Sequence, residues 1–234
     1  MSKQITVYIL HGWAVDPGNE AKWQLVREQL ETRGIQTIFL AIPGLTTPLE
    51  EVWGLDQYCE WLSGALPLDE PVILMGHSFG GQLATRFTAL FPQRVSRLIL
   101  IDSSGVRDAG VPARIKRAVF KTLAAVGKQL THSPLARQLL YTLAREKDYY
   151  NAPPVMRQTM ARVVADEVTQ DFAHISIPTL ILWGAQDRVT PVKNAQLFAR
   201  ILNSQVHIFP TARHSPQFTH PVAVAEQVEA FVYG

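Results

Sequence analysis

Short apolar runs rich in β-branched residues recur along the chain, at residues 5–10, 36–42, 72–77, 98–102, 179–183 and 205–209. Segments such as VILMGH, LILID and TLILW are apolar at nearly every position. Strands covered on both faces carry this pattern, as in a parallel sheet between helix layers. Helical patterns lie between the runs. Residues 20–33 set Trp23, Val26 and Leu30 on one face and stop at Gly34, a residue suited to the left-handed backbone past a helix end. Residues 81–91 follow the third run and end before Pro92. Residues 191–202 open on Pro191 at a first-turn position, with Thr190 as candidate cap, and residues 221–232 form the last helix. The alternation predicts an α/β fold with a doubly wound, mostly parallel sheet.

One segment breaks the rhythm. From 106 to 170 there is no strand pattern, and PARIKRAVFKTLAAVGKQL and SPLARQLLYTLAREKDYY read as helices. An all-helical insertion in such a sheet is most simply a cap over the strand ends. The expected division is a core of residues 1–105 and 171–234 with a helical cap, 106–170, in which Pro153-Pro154 interrupts the helices. With 234 residues, 47% of them hydrophobic, the chain suits one α/β domain with such an insertion.

A formal charge of only +2 makes no global electrostatic case for nucleic acid. Its distribution is uneven. Segment 106–170 holds 11 Lys and Arg against 5 Asp and Glu, a net +6, and the rest of the chain is net −4. Three uses of the basic cap compete: solvated helix faces, attraction of anionic substrates such as acyl groups on a phosphate-bearing carrier, and docking on anionic lipid through residues 114–130. Phe120, Leu123, Leu139, Leu140, Tyr141, Tyr149, Tyr150 and Met156 are candidates to line an apolar acyl pocket, or to pack the cap itself. The only cysteine, Cys59, excludes an intramolecular disulfide and sits in a helix-like stretch as a small core residue. The first apolar run is too short for a signal-peptide core and nothing approaches 18 consecutive apolar residues. No transmembrane segment is therefore expected, and the expected location is cytoplasmic.

The chemistry starts at Gly76-His77-Ser78-Phe79-Gly80-Gly81, which follows the strand VILM and precedes a helix. This is a G-x-S-x-G nucleophile elbow in its required strand–turn–helix setting. So sharp a reversal strains the serine's backbone. Glycines at 76 and 80 leave room where side chains would collide, and the helix N-terminus favours a developing anion beside Ser78 Oγ. Two N–H donors should hold that anion. The candidates are Phe79, after the nucleophile, and Trp13, in the loop Leu10-His11-Gly12-Trp13 after the first strand; the Trp13 indole is also a candidate wall of the acyl pocket. His11 is expected to fix this loop.

A serine hydroxyl needs a base within hydrogen-bond reach. Seven histidines are available. His77 adjoins the serine but points to the other side of the chain. His214 sits in the loop 210–216, after the last strand and before the last helix, where the third member falls in the order Ser…Asp…His. His220 is the second choice, more suited to a helix entry. The acid should end another strand. Asp187, in WGAQDRVTP directly after TLILW, is preferred; Asp102, after LILI, is the rival. This chemistry requires no metal or organic cofactor.

Four motifs then stand in order: HGW, GHSFGG, WGAQDRVTP and ARHSPQFTHP. Together they resemble the α/β-hydrolase superfamily over nearly the whole chain. Ala41-Ile-Pro-Gly-Leu45 is similar to that family's aspartate-leucine-proline-glycine turn, with Ala41 in place of the aspartate. Most similar are small bacterial carboxylesterases with a helical cap, including pimeloyl-carrier ester hydrolases, whose loop also reads HGW. The resemblance implies ester hydrolysis through an acyl-enzyme, and the apolar cap residues point to a small-molecule ester with an apolar acyl group. The sequence starts at the first parallel strand, so the family's usual N-terminal antiparallel hairpin is not expected. Serine at position 78 argues against haloalkane dehalogenases, which carry aspartate there, and the HGGG loop of hormone-sensitive lipases is lacking. Carbon–carbon bond hydrolases, perhydrolases, lyases and acyltransferases of the superfamily use the same site and stay open as alternatives, as does a non-catalytic binding protein.

Overall fold

The computed structural model describes residues 4–106 and 152–234. Six strands form one all-parallel sheet in the order β2-β1-β3-β4-β5-β6. They are β1 (Ile5–Leu10), β2 (Ile35–Phe39), β3 (Val72–His77), β4 (Val95–Ile101), β5 (Thr179–Gly184) and β6 (Gln205–Phe209). The helices among the described residues are α1 (Gln24–Glu31), α2 (Leu55–Ala65), α3 (Phe79–Leu90), α4 (Pro154–Ala165), α5 (Lys193–Leu202), α6 (Pro216–Thr219) and α7 (Pro221–Tyr233).

The unbroken apolar runs have a two-sided explanation. Val7, Ile9, Ile73, Met75, Ile99, Ile101, Leu180 and Leu182 point to one face and pack with Val26 and Leu30 of α1 and Val224, Val228 and Val232 of α7. Their alternates Leu10, Leu74, Leu98, Leu100, Ile181 and Trp183 point to the other and meet Tyr58 and Leu62 of α2, Leu83 and Phe87 of α3 and Phe198 of α5. Successive side chains on a strand point to opposite faces, so a strand sandwiched by helices must be apolar at both parities. Each such side chain fully buried contributes about 1.5–3 kcal/mol relative to exposure.

Strand order reverses at β1. The chain first moves outward to β2 and then crosses back to β3 on the other side of β1. In open α/β sheets the crevice at such a switch, outside the carboxyl ends of the strands, is where ligands bind. Here it brings the loop after β1 beside the loop after β3.

Several boundaries differ from the sequence pattern for local reasons. The helix over 20–33 opens as a 3-10 turn, Asn19–Trp23, in which Asn19 reaches the His11 ring at 2.8 Å and Trp23 is wholly buried. The second strand ends at Phe39, three residues early. Pro43 has no N–H to offer a ladder, and Gly44, at φ 82°, turns the chain so that its N–H donates to Thr47 O at 2.7 Å. The fourth strand begins three residues early, at Val95, and stops at Ile101 because Asp102 takes φ 42°. Thr190 caps no helix: α5 starts at Lys193 without a side-chain cap, and the Thr190 hydroxyl is turned inward. The short α6 carries no strong pattern and was not expected.

Most of the expected cap, 107–151, lies outside the described residues. The remainder docks on the core. Pro153 precedes α4 and Pro154 is its first residue, where a missing N–H leaves no helical bond unmade. Met156 and Val163 join the core cluster of Phe79 and Tyr58, and Gln82 Nε2 donates to Val163 O at 3.0 Å and Asp166 O at 3.1 Å. Among the described residues, no helix is long and apolar enough to cross a membrane.

Candidate active site

Ser78 is the single residue between β3 and α3, with φ 53° and ψ −116°. A positive φ on a residue with a Cβ costs on the order of 1–3 kcal/mol and persists only where surroundings enforce it. They do so here. Ser78 N donates to Ile101 O at 3.0 Å, and Ser78 O accepts from the N–H groups of Gly81, Gln82 and Ser104 at 3.0–3.1 Å. The flanking glycines are steric requirements. A Cβ on Gly76 would strike the Gly80 carbonyl, and one on Gly80 would strike the carbonyl of Leu10 at the end of β1. Only glycine lets the first turn of α3 lie this close to two strands.

Two loops complete the site. After β5, the chain wraps its own carboxylate: Asp187 Oδ1 accepts from Val189 N at 2.7 Å and Thr190 N at 3.1 Å, and Oδ2 from Thr190 Oγ1 at 2.6 Å. Trp183 Nε1 fastens the loop by donating to Thr190 O at 2.8 Å. After β6, the His214 loop is tied to the Asp187 loop by Gln186 N donating to Ala212 O at 2.9 Å. The result is a contiguous chain: Asp187 Oδ2 is 2.8 Å from His214 Nδ1, and His214 Nε2 is 2.9 Å from Ser78 Oγ. The Asp187 side chain is wholly buried and that of His214 partly open.

Protonation follows from these contacts. Burial alone would push the Asp187 carboxyl up, but the hydrogen bonds and charge of His214, with those of Thr190 and Val189, outweigh it and hold the group below the ordinary carboxylate value. An ionised Asp187 only accepts, so His214 Nδ1 carries the hydrogen and Nε2 offers its lone pair to the Ser78 hydroxyl. This is the arrangement a general base requires.

The remaining candidates fall into place around this chain. Phe79 is the first residue of α3, so its N–H has no intrahelical acceptor. Trp13 lies across from it, the two rings edge to face with centroids 5.6 Å apart. His11 is buried, its Nδ1 2.8 Å from Gly12 O and 2.8 Å from Asn19 Nδ2, and its ring stacks on Phe39 at 5.0 Å. Burial lowers its pKa to about 4, so it is neutral and serves to shape the loop. His220 heads α7 and contacts Thr211 and Thr219, away from Ser78. Asp102, the rival acid, follows β4 beside this site, and its Oδ1 accepts from Gly184 N at 2.8 Å. Met156 is buried in the core; the other seven apolar cap candidates lie outside the described residues. Cys59 is buried too, and burial pushes its thiol up to about 12, which makes it unreactive.

Sequence reasoning missed what His77 does. Its ring is buried and its Nε2 is 2.7 Å from the His214 carbonyl oxygen. A carbonyl only accepts, so Nε2 carries the hydrogen. Burial lowers the His77 pKa to about 3 and keeps the ring neutral. His77 thereby clamps the backbone of the residue that faces Ser78. The adjacency of His77 to Ser78 was the available signal, but its partner lies 137 positions away. Among the described residues, His77, Asp102 and His214 also bring ligand-type atoms within 4.8 Å of one another. Both His214 nitrogens and His77 Nε2 are engaged in the bonds above, so these groups do not form a vacant set for a metal.

A family model described as "alpha/beta hydrolase fold" matches residues 6–221. The chain is 28% identical to the pimeloyl-[acyl-carrier protein] methyl ester esterase of Chromobacterium violaceum, over 95% of this chain and 94% of that protein. It is likewise 28% identical to the esterase of the same name from Pectobacterium carotovorum, over 95% of this chain and 92% of that protein. Among solved structures it is similar to a thermophilic esterase from Thermogutta terrifontis, with TM-score 0.71, 22% identity and coverage of 98% and 89%. It is also similar to an alpha/beta hydrolase enzyme from the metagenome of lagoon sediments of Mar Chica, Morocco, with TM-score 0.70, 19% identity and coverage of 99% and 91%. At these identities the two structures speak for the fold alone.

Proposed function

The chain belongs to the alpha/beta hydrolase fold family, and on that premise we propose that it is a serine hydrolase of carboxylic esters, with Ser78 as nucleophile, His214 as general base and Asp187 as the acid that orients it. The observation that carries the reading is the unbroken hydrogen-bond chain from Ser78 Oγ through His214 to Asp187. Ser78 Oγ attacks the ester carbonyl as His214 Nε2 takes its proton. The imidazolium so formed is stabilised by the ionised Asp187. The backbone N–H groups of Phe79 and Trp13 hold the oxyanion, each worth roughly 100–1,000-fold in rate. His214 then gives its proton to the leaving alcohol. Water, deprotonated by the same nitrogen, attacks the acyl-enzyme and releases the acid and Ser78. Every proton is accounted for by these residues and water.

The substrate we propose is a small-molecule ester with an apolar acyl group. The similarity to two methyl ester esterases supports an ester as the substrate. The proposed division into core and helical cap, and a cytoplasmic location, go with this reading.

A fluorophosphonate probe tests the site without a guess about the substrate. The expected result is a label on Ser78, mapped by mass spectrometry, absent from Ser78→Ala and strongly slowed in His214→Ala. Esters of graded acyl length should then be turned over by the wild type and not by Ser78→Ala. Folded wild-type protein that takes no label, or an alanine variant that hydrolyses esters at the wild-type rate, overturns the assignment.

A further inference from the structure

The proposed mechanism leaves one buried ionisable group unused. Asp102 follows β4 directly, has no exposed surface and holds φ 42°. Its Oδ1 accepts from Gly184 N at 2.8 Å. Its Oδ2 is buried and, among the described residues, meets no donor. The titratable groups that face it are His77 at the end of β3 and His214 from the loop after β6, each with a ligand-type atom within 4.8 Å, and Asp187 from the loop after β5, whose Oδ2 lies 2.8 Å from His214 Nδ1 and 2.6 Å from a Thr190 hydroxyl that is itself 3.1 Å from the Asp102 carbonyl.

As a carboxylate, Asp102 would stand beside a second buried carboxylate with one oxygen unsatisfied. Like charges at this range cannot both ionise cheaply, and an orphaned buried charge is costlier than an orphaned neutral group. As a carboxylic acid, it removes one buried charge and turns the orphaned Oδ2 into a donor, for which the ionised Asp187 is an acceptor. Burial, and then the Asp187 charge, push its pKa up to about 9, in the same direction. The strained φ indicates that the fold places this side chain here against a local cost.

We propose that Asp102 is a neutral carboxylic acid at neutral pH whose O–H donates to the Asp187 carboxylate, so that two carboxyls sharing one proton stand behind His214. Asp102 is then a positioning residue: it acts through Asp187, fixing the carboxylate for His214 Nδ1 and limiting the buried negative charge to one. That count matches the single positive charge that develops on His214. The catalytic part of this role rests on the hydrolase reading; the shared proton does not.

Isotope-edited infrared spectroscopy with labelled aspartate reads the proton directly. At about pH 7 the wild type should show the carbonyl stretch of a protonated carboxyl group, absent from Asp102→Asn. In Asp187→Asn, which leaves Asp102 in place, the band should move, because the acceptor changes from a carboxylate to an amide oxygen. No band in the wild type, a band that survives Asp102→Asn, or one indifferent to Asp187→Asn overturns the proposal. For turnover, Asp102→Ala should lower kcat roughly 10-fold or more with KM little changed, and Asp102→Asn, whose amide still donates, should restore most of it. Equal loss in both variants removes the positioning role. A wild type that shows the band but takes no fluorophosphonate label keeps the proton-sharing pair and sinks the hydrolase reading instead.

Discussion

Replacing Asp102 by Asn should change how the stability of this protein depends on pH. In the unfolded chain the carboxyl titrates near its ordinary value of 3.8; in the folded protein burial and the Asp187 charge raise it to about 9. Between those values folding must take up one proton. The stability associated with the protonated form is fully present below the unfolded value and is lost as pH rises towards the folded one. The loss is about 1.4 kcal/mol per pH unit, and an asparagine at the same place does not titrate. The wild type should therefore fall behind Asp102→Asn by roughly 2.7 kcal/mol between about pH 5.5 and about pH 7.5, whatever their offset at the lower pH. Urea unfolding followed by tryptophan emission, with Trp23 and Trp183 wholly buried as reporters, measures both proteins at each pH. Titrations common to the two cancel in the difference. If the two stability curves run parallel over this window, Asp102 ionises normally in the folded state and the reasoning about the carboxyl pair fails.

Three further outcomes are expected. Asp187→Asn should lower kcat on the order of 10⁴-fold at neutral pH, because the amide turns His214 to the wrong tautomer; it should also flatten acid sensitivity, since the depressed Asp187 pKa contributes stability present above its unfolded value and lost as pH falls through the folded one, measurable by denaturant titration at low pH. Gly80→Ala should cost about 3 kcal/mol or prevent folding, because its Cβ meets the Leu10 carbonyl; an alanine variant with wild-type thermal stability contradicts the packing described for the elbow. His77→Ala should reduce kcat about 10-fold while leaving KM nearly unchanged, since it frees the His214 backbone without touching a substrate; steady-state kinetics on a simple ester separates the two constants.

What could be read from residues alone was whatever local sterics and burial dictate. A strand buried on both faces must be apolar at every position, which is why Val72–His77 and Thr179–Gly184 were visible as strands. A serine forced into positive φ between a strand and a helix needs glycines where backbone passes backbone, so the elbow around Ser78 is written in consecutive residues. The positions of Asp187 and His214 after strands were legible for the same reason, as loops at the ends of apolar runs. Strand order was not, because the pattern within a run carries no record of its neighbour. Only the assembled sheet puts β3 between β1 and β4, and with it Ser78 against Gly12 on one side and Ile101 and Ser104 on the other. Which of the two carboxylates meets His214 was likewise tertiary: both follow strands, but the loop after β5 wraps Asp187 in donors and turns it to His214, whereas Asp102 receives one N–H. His77 took its role from the same loops. It makes its decisive contact with a residue that no local rule connects to it, since hydrogen bonds between the ends of different strands depend on register and order in the finished sheet.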